Sequence, residues 1–104
     1  MRTTSKLGLL AAAALLCGCW STITVDGLKV HEGSWENARA EIRRMAAFEM
    51  SCDPSQIKLT LLDTNANNIP PRPWGIGATG CGQKLTYKIV MGSGWVLNSK
   101  TIEK

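Results

Sequence analysis

Hydrophobic residues recur with helical spacing between Trp35 and about Met50. The residues that share one face of this segment are Trp35, Ala38, Ile42, Met45 and Ala46. Ser34 is suited to cap the first amide groups of a helix, and Glu36 in the first turn places negative charge where it is favoured. The pattern predicts an amphipathic helix that opens at Ser34 and ends before Pro54, because proline disfavours helix at the preceding residue.

Alternation of apolar and polar positions predicts two strands after the helix, at residues 57–61 and 85–91. Two weaker strands are indicated at residues 74–79, where larger side chains alternate with glycine, and at the short run 95–97. Residues 63–73 are rich in turn-forming types and predict a loop of about eleven residues.

A further pair of short β-rich runs precedes the helix, with Asp26-Gly27 between them. Asp-Gly between such runs is a strong signal for a two-residue hairpin, since glycine tolerates the positive φ of a type I′ turn. Each arm is only about four residues long, so a partly ordered tether is the alternative.

An uncharged apolar run, residues 7–16, follows an N-terminal stretch that carries Arg2 and Lys6. A positive region followed by a short apolar region is the form of an export signal. Ten helical residues rise about 15 Å, roughly half of a bilayer's hydrocarbon core, so the run is too short to span it. We therefore expect a signal peptide at residues 1–18, with a buried N-terminal helix as the alternative.

The apolar run ends in Leu16-Cys17-Gly18-Cys19, which resembles the lipobox of bacterial lipoproteins. Leu16, Gly18 and Cys19 match the family pattern, whereas Cys17 stands where the family usually has Ala, Ser or Thr. The resemblance implies cleavage before Cys19 and lipid on its thiol, which would tether the mature protein to a membrane. Trp20 follows in place of Asp, which favours the outer over the inner membrane in enterobacterial-type sorting. Ordinary secretion without lipid is the alternative.

The helix followed by strands indicates an α+β fold, with one amphipathic helix packed on a small antiparallel sheet of three to four strands. We assign this domain to residues 34–104, and residues 19–33 to the lipidated N-terminus with its short hairpin or tether. About 86 residues remain after the signal. A domain of this size buries a small share of its surface and often needs a covalent staple.

Cys52 and Cys81 are the cysteines left for such a staple once Cys19 carries lipid. In an oxidising envelope two remaining cysteines favour a disulfide. The loop that it would close is about thirty residues long, for which the chain-entropy model gives roughly 3.6 kcal/mol. This is a large part of the stability of a domain this small.

The cysteine pair also lies in a broader resemblance. Residues 46–54, 57–60 and 79–83, together with Tyr87, resemble a group of small uncharacterised bacterial lipoproteins and secreted proteins. These proteins share a helix, a Cys near a Pro, a strand, Gly-Cys-Gly and a strand that bears Tyr. The resemblance covers roughly residues 45–90, implies an α+β unit with paired cysteines, and supplies no activity.

Charge and reactive residues narrow the functional classes. The formal charge of +4 falls to about +2 without Arg2 and Lys6, and the remaining basic residues are scattered, so nucleic acid is not an expected partner. His31 is the single histidine, and with two cysteines it gives fewer ligands than a zinc site usually has. The spaced glycines of residues 75–80 lack the ending of a phosphate loop. We expect no catalytic residue, metal or cofactor.

Three residues stand out as candidates for a role beyond packing. Trp74, near a Pro-rich loop, and Tyr87 are candidate binding residues, with core or loop packing as the alternative. Glu49 breaks the apolar pattern of the helix. It either lies beyond the packed stretch, pairs with a lysine, or is functional.

Taken together, the sequence predicts a lipid-anchored envelope protein that is not an enzyme. Its partners would be the membrane, through lipid on Cys19, and an envelope protein. The domain would serve protein binding or envelope maintenance. The alternatives are a soluble secreted or periplasmic inhibitor-like protein and, less favoured, a small enzyme.

Overall fold

The computed structural model describes residues 21–65 and 67–103. The signal peptide and Cys19 lie outside these residues. The elements, in chain order, are β1 (Thr22–Val25), β2 (Leu28–His31), α1 (Glu32–Met50), a 3₁₀ turn (Pro54–Gln56), β3 (Lys58–Asn65), β4 (Arg72–Gly80), β5 (Gln83–Val90) and β6 (Gly94–Ile102).

The strands form two antiparallel sheets. β1 and β2 form a hairpin, and β3 to β6 form a four-stranded meander in the order β3-β4-β5-β6. The α+β fold with one helix on an antiparallel sheet is therefore confirmed. The predicted number of strands, three to four, is too low, because the described residues contain six strands in two sheets.

The hairpin turn has the predicted backbone conformation, with positive φ at both Asp26 and Gly27 (50° and 82°). The hairpin is also part of the domain. Val30 is fully buried in the core, and Ile23 and Leu28 pack against that core. Asp26 fixes the hairpin to the main sheet, because its Oδ2 accepts a hydrogen bond of 2.8 Å from the N–H of Leu61 in β3.

The helix begins two residues earlier than the sequence predicts. His31 is the N-cap, and its Nδ1 accepts a hydrogen bond from the N–H of Ser34 at 3.2 Å. Ser34, the predicted cap, lies inside the first turn, with its Oγ 2.9 Å from the same nitrogen. The acidic residue of the first turn is Glu32. Histidine can take the place of serine here because its Nδ1 accepts a hydrogen bond from a helix amide, as a serine cap oxygen does.

The core lies between α1, the hairpin and one face of the meander. Small side chains at Ala38, Ala46 and Ala78 leave room for the helix to approach β4. The buried residues are Val30, Trp35, Ala38, Ile42, Ala46, Met50, Cys52, Ile57, Leu61, Ile76, Ala78, Leu85 and Tyr87.

Two strand boundaries differ from the prediction. The connection between β3 and β4 spans residues 66–71 instead of 63–73, because the polar residues 63–65 pair with β4. β6 runs over nine residues, well beyond the short strand expected at 95–97. The Gly-rich segment 75–80 lies in β4, an inner strand of the sheet.

Candidate functional site

The helix and the hairpin leave part of the sheet uncovered. A four-stranded sheet is about 14 Å wide, whereas a helix with its side chains is about 10–12 Å across. α1 contacts β4 and β5, and β2 contacts β3 and β4. The inner face of β6 therefore borders a groove of about 420 Å³ beside the C-terminal half of α1. Its lining residues are Arg44, Met45, Phe48, Glu49, Tyr87 and Leu97.

The groove has an apolar floor and an aromatic rim. Met45 and Leu97 are half-buried and pack against the core. Phe48 is 88 % exposed, although it stands next to these apolar side chains. An exposed phenyl ring beside an apolar groove is the kind of surface that a partner can cover. The sequence contained a signal for this residue, because Phe48 lies outside the apolar face of an otherwise amphipathic helix.

Glu49 lies at the rim of the groove and forms an ion pair. Its Oε2 accepts a hydrogen bond from Nζ of Lys100 in β6 at 3.1 Å. Of the three roles considered for Glu49, the structure therefore shows pairing with a lysine. The pair joins the end of α1 to the edge strand beside the groove.

Tyr87 forms part of the groove floor and is only 2 % exposed. Burial, and then the negative charge of Glu49, raise the pKa of the Tyr87 hydroxyl above its ordinary value. The neutral phenol is therefore the favoured form in the folded protein. In this form the hydroxyl can act as both a hydrogen-bond donor and an acceptor.

Trp74 does not line this groove. It is half-buried in β4 at an irregularity in the pairing with β3, where Asp63 pairs with Gly75 and Thr64 with Pro73. Trp74 is thus the extra residue of a β-bulge. The structure does not bring the two candidate binding residues into one cavity.

The disulfide between Cys52 and Cys81 is present, with Cα atoms 6.0 Å apart. It joins the residues after α1 to the turn between β4 and β5. A second link lies next to it, because Nε2 of Gln83 donates to the carbonyl of Met50 at 3.0 Å. Two connections therefore hold the end of α1 against the sheet, close to the groove.

Asp53 caps the 3₁₀ turn that follows the disulfide. Its Oδ1 accepts hydrogen bonds from the N–H and the Oγ of Ser55, at 2.9 and 2.7 Å. These bonds, the backbone one first, lower the pKa of the Asp53 carboxyl. The arrangement explains the local turn and offers no chemistry beyond it.

A larger concavity of about 560 Å³ lies on the outer face of α1 beside Pro54. Two of its three arginines, Arg39 and Arg43, are engaged by other groups of the domain. Arg43 donates to the carbonyls of Pro54 and Ile57 at 3.0 and 2.7 Å, and Arg39 pairs with Glu36 at 3.4 Å. With these side chains engaged, this concavity is a weaker candidate for ligand binding than the groove.

His31 lies at the opposite end of α1 from the disulfide. The helix has nineteen residues, so its ends are about 27 Å apart. Among the described residues, the structure thus places no cysteine thiol beside the histidine. In the same part of the chain, no group of three or more His, Cys, Asp or Glu side chains could hold a metal ion.

Within residues 21–65 and 67–103, no helix combines the length and the apolar character needed to cross a membrane. Comparisons of the chain with protein-family models, with curated proteins and with solved structures found no match.

Proposed function

We propose that this chain is a lipid-anchored cell-envelope protein whose domain binds a protein partner in the groove beside Phe48. The exposed phenyl ring carries the binding part of this proposal. Burying a side chain of this size is worth about 1.5–3 kcal/mol, which a partner can gain. The domain serves as a binding module and not as an enzyme.

The lipid anchor is supported by the lipobox-like residues that end in Cys19. One residue, Trp20, separates the lipidated cysteine from Ser21, whose carbonyl already accepts a hydrogen bond from the start of α1. From Cys19 to Ser21 the extended chain spans at most about 7 Å. The domain is then held directly at the membrane surface, with the outer membrane favoured by Trp20.

The chemistry of the groove indicates a partner segment with an apolar side chain. Met45 and Leu97 would contact that side chain, and Phe48 would cover it from the rim. Arg44 and the Glu49–Lys100 pair flank the groove and would meet polar groups around the apolar anchor. Aromatic residues and arginine are enriched in protein interfaces, and an apolar centre with a polar rim is their usual arrangement.

The position of the groove suits a membrane-tethered module. The carbonyl of Ser21 accepts a hydrogen bond from Glu32 at the start of α1. Phe48 lies sixteen residues further along the helix, which corresponds to about 24 Å. A partner in the aqueous space can therefore reach the groove while the lipid remains in the bilayer.

The anchor is tested by mass spectrometry of the mature N-terminus. We expect acyl chains on Cys19, and their loss with retention of the signal peptide in Cys19→Ala. Cys17→Ala is the matched control and should be processed normally, because alanine is common at that position of the lipobox. A free amino terminus at another residue would contradict the anchor.

The groove is tested by photo-cross-linking in intact cells. A photoreactive phenylalanine analogue at position 48 should give a discrete adduct with one protein. The control position is 62, because the exposed Leu62 contacts Gly77 on the sheet face away from α1. Leu97→Lys, which places a charge in the groove floor, should suppress the adduct at 48. Equal adducts at 48 and 62 would refute a specific groove partner.

A further inference from the structure

Ser21, the first described residue, lies at one end of the domain. The carbonyl of Ser21 accepts a hydrogen bond from the N–H of Glu32 at 3.0 Å, and Thr22 pairs with His31. The N–H of His31 in turn donates to the carbonyl of Pro71 at 2.8 Å. Ser21, the start of α1 and the described loop residues 67–71 therefore lie together, and we call this region the anchor end.

The sheet register brings the turn 91–93 to the anchor end as well. Gly75 of β4 pairs with Lys88 of β5, and Val90 pairs with Gly94 of β6. The end of β5 thus lies beside the start of β4, which directly follows loop residues 67–71. The two connections are two strand spacings apart, which is about 10 Å.

Each of these connections exposes a large apolar side chain. Ile69 is 94 % exposed in the loop, and Met91 is 85 % exposed in the turn. Val90, next to Met91, is also exposed. Single exposed apolar residues are common, but a group of them at one end of a domain marks a contact surface.

We infer that the anchor end lies on the lipid bilayer and that Ile69 and Met91 enter its interfacial region. The inference rests on the proposed lipid at Cys19. Because Cys19 is at most about 7 Å from Ser21, the acyl chains would enter the bilayer beside these side chains. Weak apolar contacts suffice once a lipid holds the domain there. The tether keeps Ile69 and Met91 close to the bilayer, so their contact with it does not require a separate encounter in solution.

The contact orients the domain. A lipid alone gives one attachment point and leaves the domain free to rotate about it. Ser21, Ile69 and Met91 give three points, which define a plane against the membrane. α1 starts at this plane and carries Phe48 away from it, so the groove faces the aqueous space.

The test uses the purified lipidated protein in vesicles of phosphatidylethanolamine and phosphatidylglycerol. Variants that each add one free cysteine, Ile69→Cys or Met91→Cys, carry a polarity-sensitive fluorophore on the added thiol, while Cys52 and Cys81 stay in their disulfide. The matched control is Phe48→Cys, because Phe48 is similarly exposed and lies far from the anchor end. All three positions are exposed, so the substitutions should leave the fold intact.

We expect the emission of the labels at 69 and 91 in vesicles to lie to the blue of the same labels on the lipid-free mature chain with Cys19→Ala in buffer. Nitroxide-bearing lipids should quench these labels strongly and leave the label at 48 nearly unchanged. Vesicle-bound protein whose three labels behave alike would overturn this membrane contact while leaving the anchor intact. Protein that carries no lipid and stays in the supernatant would overturn the proposed anchor, and the membrane contact with it.

Discussion

Removal of the Cys52–Cys81 disulfide should cost the domain a large part of its stability. The two cysteines are 29 residues apart in the sequence, so the bond restricts a long loop in the unfolded chain. The chain-entropy model gives roughly 3.6 kcal/mol for a loop of about thirty residues. A domain of about 85 residues has roughly 4–13 kcal/mol in total. The melting temperature should therefore fall by roughly 15–30 °C.

The assay is urea and thermal unfolding of the lipid-free mature chain with Cys19→Ala, compared with the same chain carrying Cys52→Ala and Cys81→Ala. Alanine is preferred to serine because Cys52 is buried, and a hydroxyl there would add a separate cost. The reduced disulfide-competent chain is the control and should agree with the double alanine variant within about 1 kcal/mol. A variant whose free energy of unfolding lies within about 1 kcal/mol of the oxidised chain would refute the loop-entropy reasoning.

Three further predictions concern stability and are measured by urea unfolding. Gly80→Ala should cost about 1–3 kcal/mol, because the added Cβ would lie 2.9 Å from the carbonyl oxygen of Gln56. Gly75→Ala, whose nearest contact would be 3.5 Å, should change stability by no more than about 0.5 kcal/mol, and equal costs would contradict the steric argument. Asp26→Ala should cost about 2–4 kcal/mol through the lost hydrogen bond and the positive φ, whereas Asp26→Asn, which tolerates that φ, should cost clearly less. Stability attributable to Tyr87 should be complete below pH 10 and decline as the pH rises through its raised pKa, and Tyr87→Phe should remove that part of the decline. An unchanged pH profile in Tyr87→Phe would contradict this assignment.

The elements predicted well from the sequence are those set by local chemistry. Asp26-Gly27 forms its turn because both residues adopt positive φ. The helix follows from its apolar face. The disulfide was expected from the number of cysteines and from the predicted export and lipidation of Cys19, which together left Cys52 and Cys81 to pair.

The features that the sequence did not reveal depend on tertiary contacts. β6 is an edge strand with mostly exposed side chains, and its register with β5 shifts between Thr86 and Tyr87. Its alternation is therefore weak, and backbone pairing with β5 continues to Ile102. Glu49 illustrates the same limit, because the sequence offered several roles and only the position of Lys100 across the sheet selects one.

The exposed apolar residues of the domain occupy positions that the fold keeps apart. Phe48 borders a groove whose helix end is held to the sheet by the disulfide and by Gln83, so the groove is a rigid surface and a partner loses little free energy in ordering it. Ile69 and Met91 lie on connections between strands at the other end, where their insertion into lipid requires no change in the core. On the proposed function, the lipid sets the concentration of the domain at the membrane and its orientation there, while the groove sets the affinity for the protein partner. A lipid-free domain would therefore bind the isolated partner as tightly as the lipidated protein does, and would lose only the advantage of being held at the membrane.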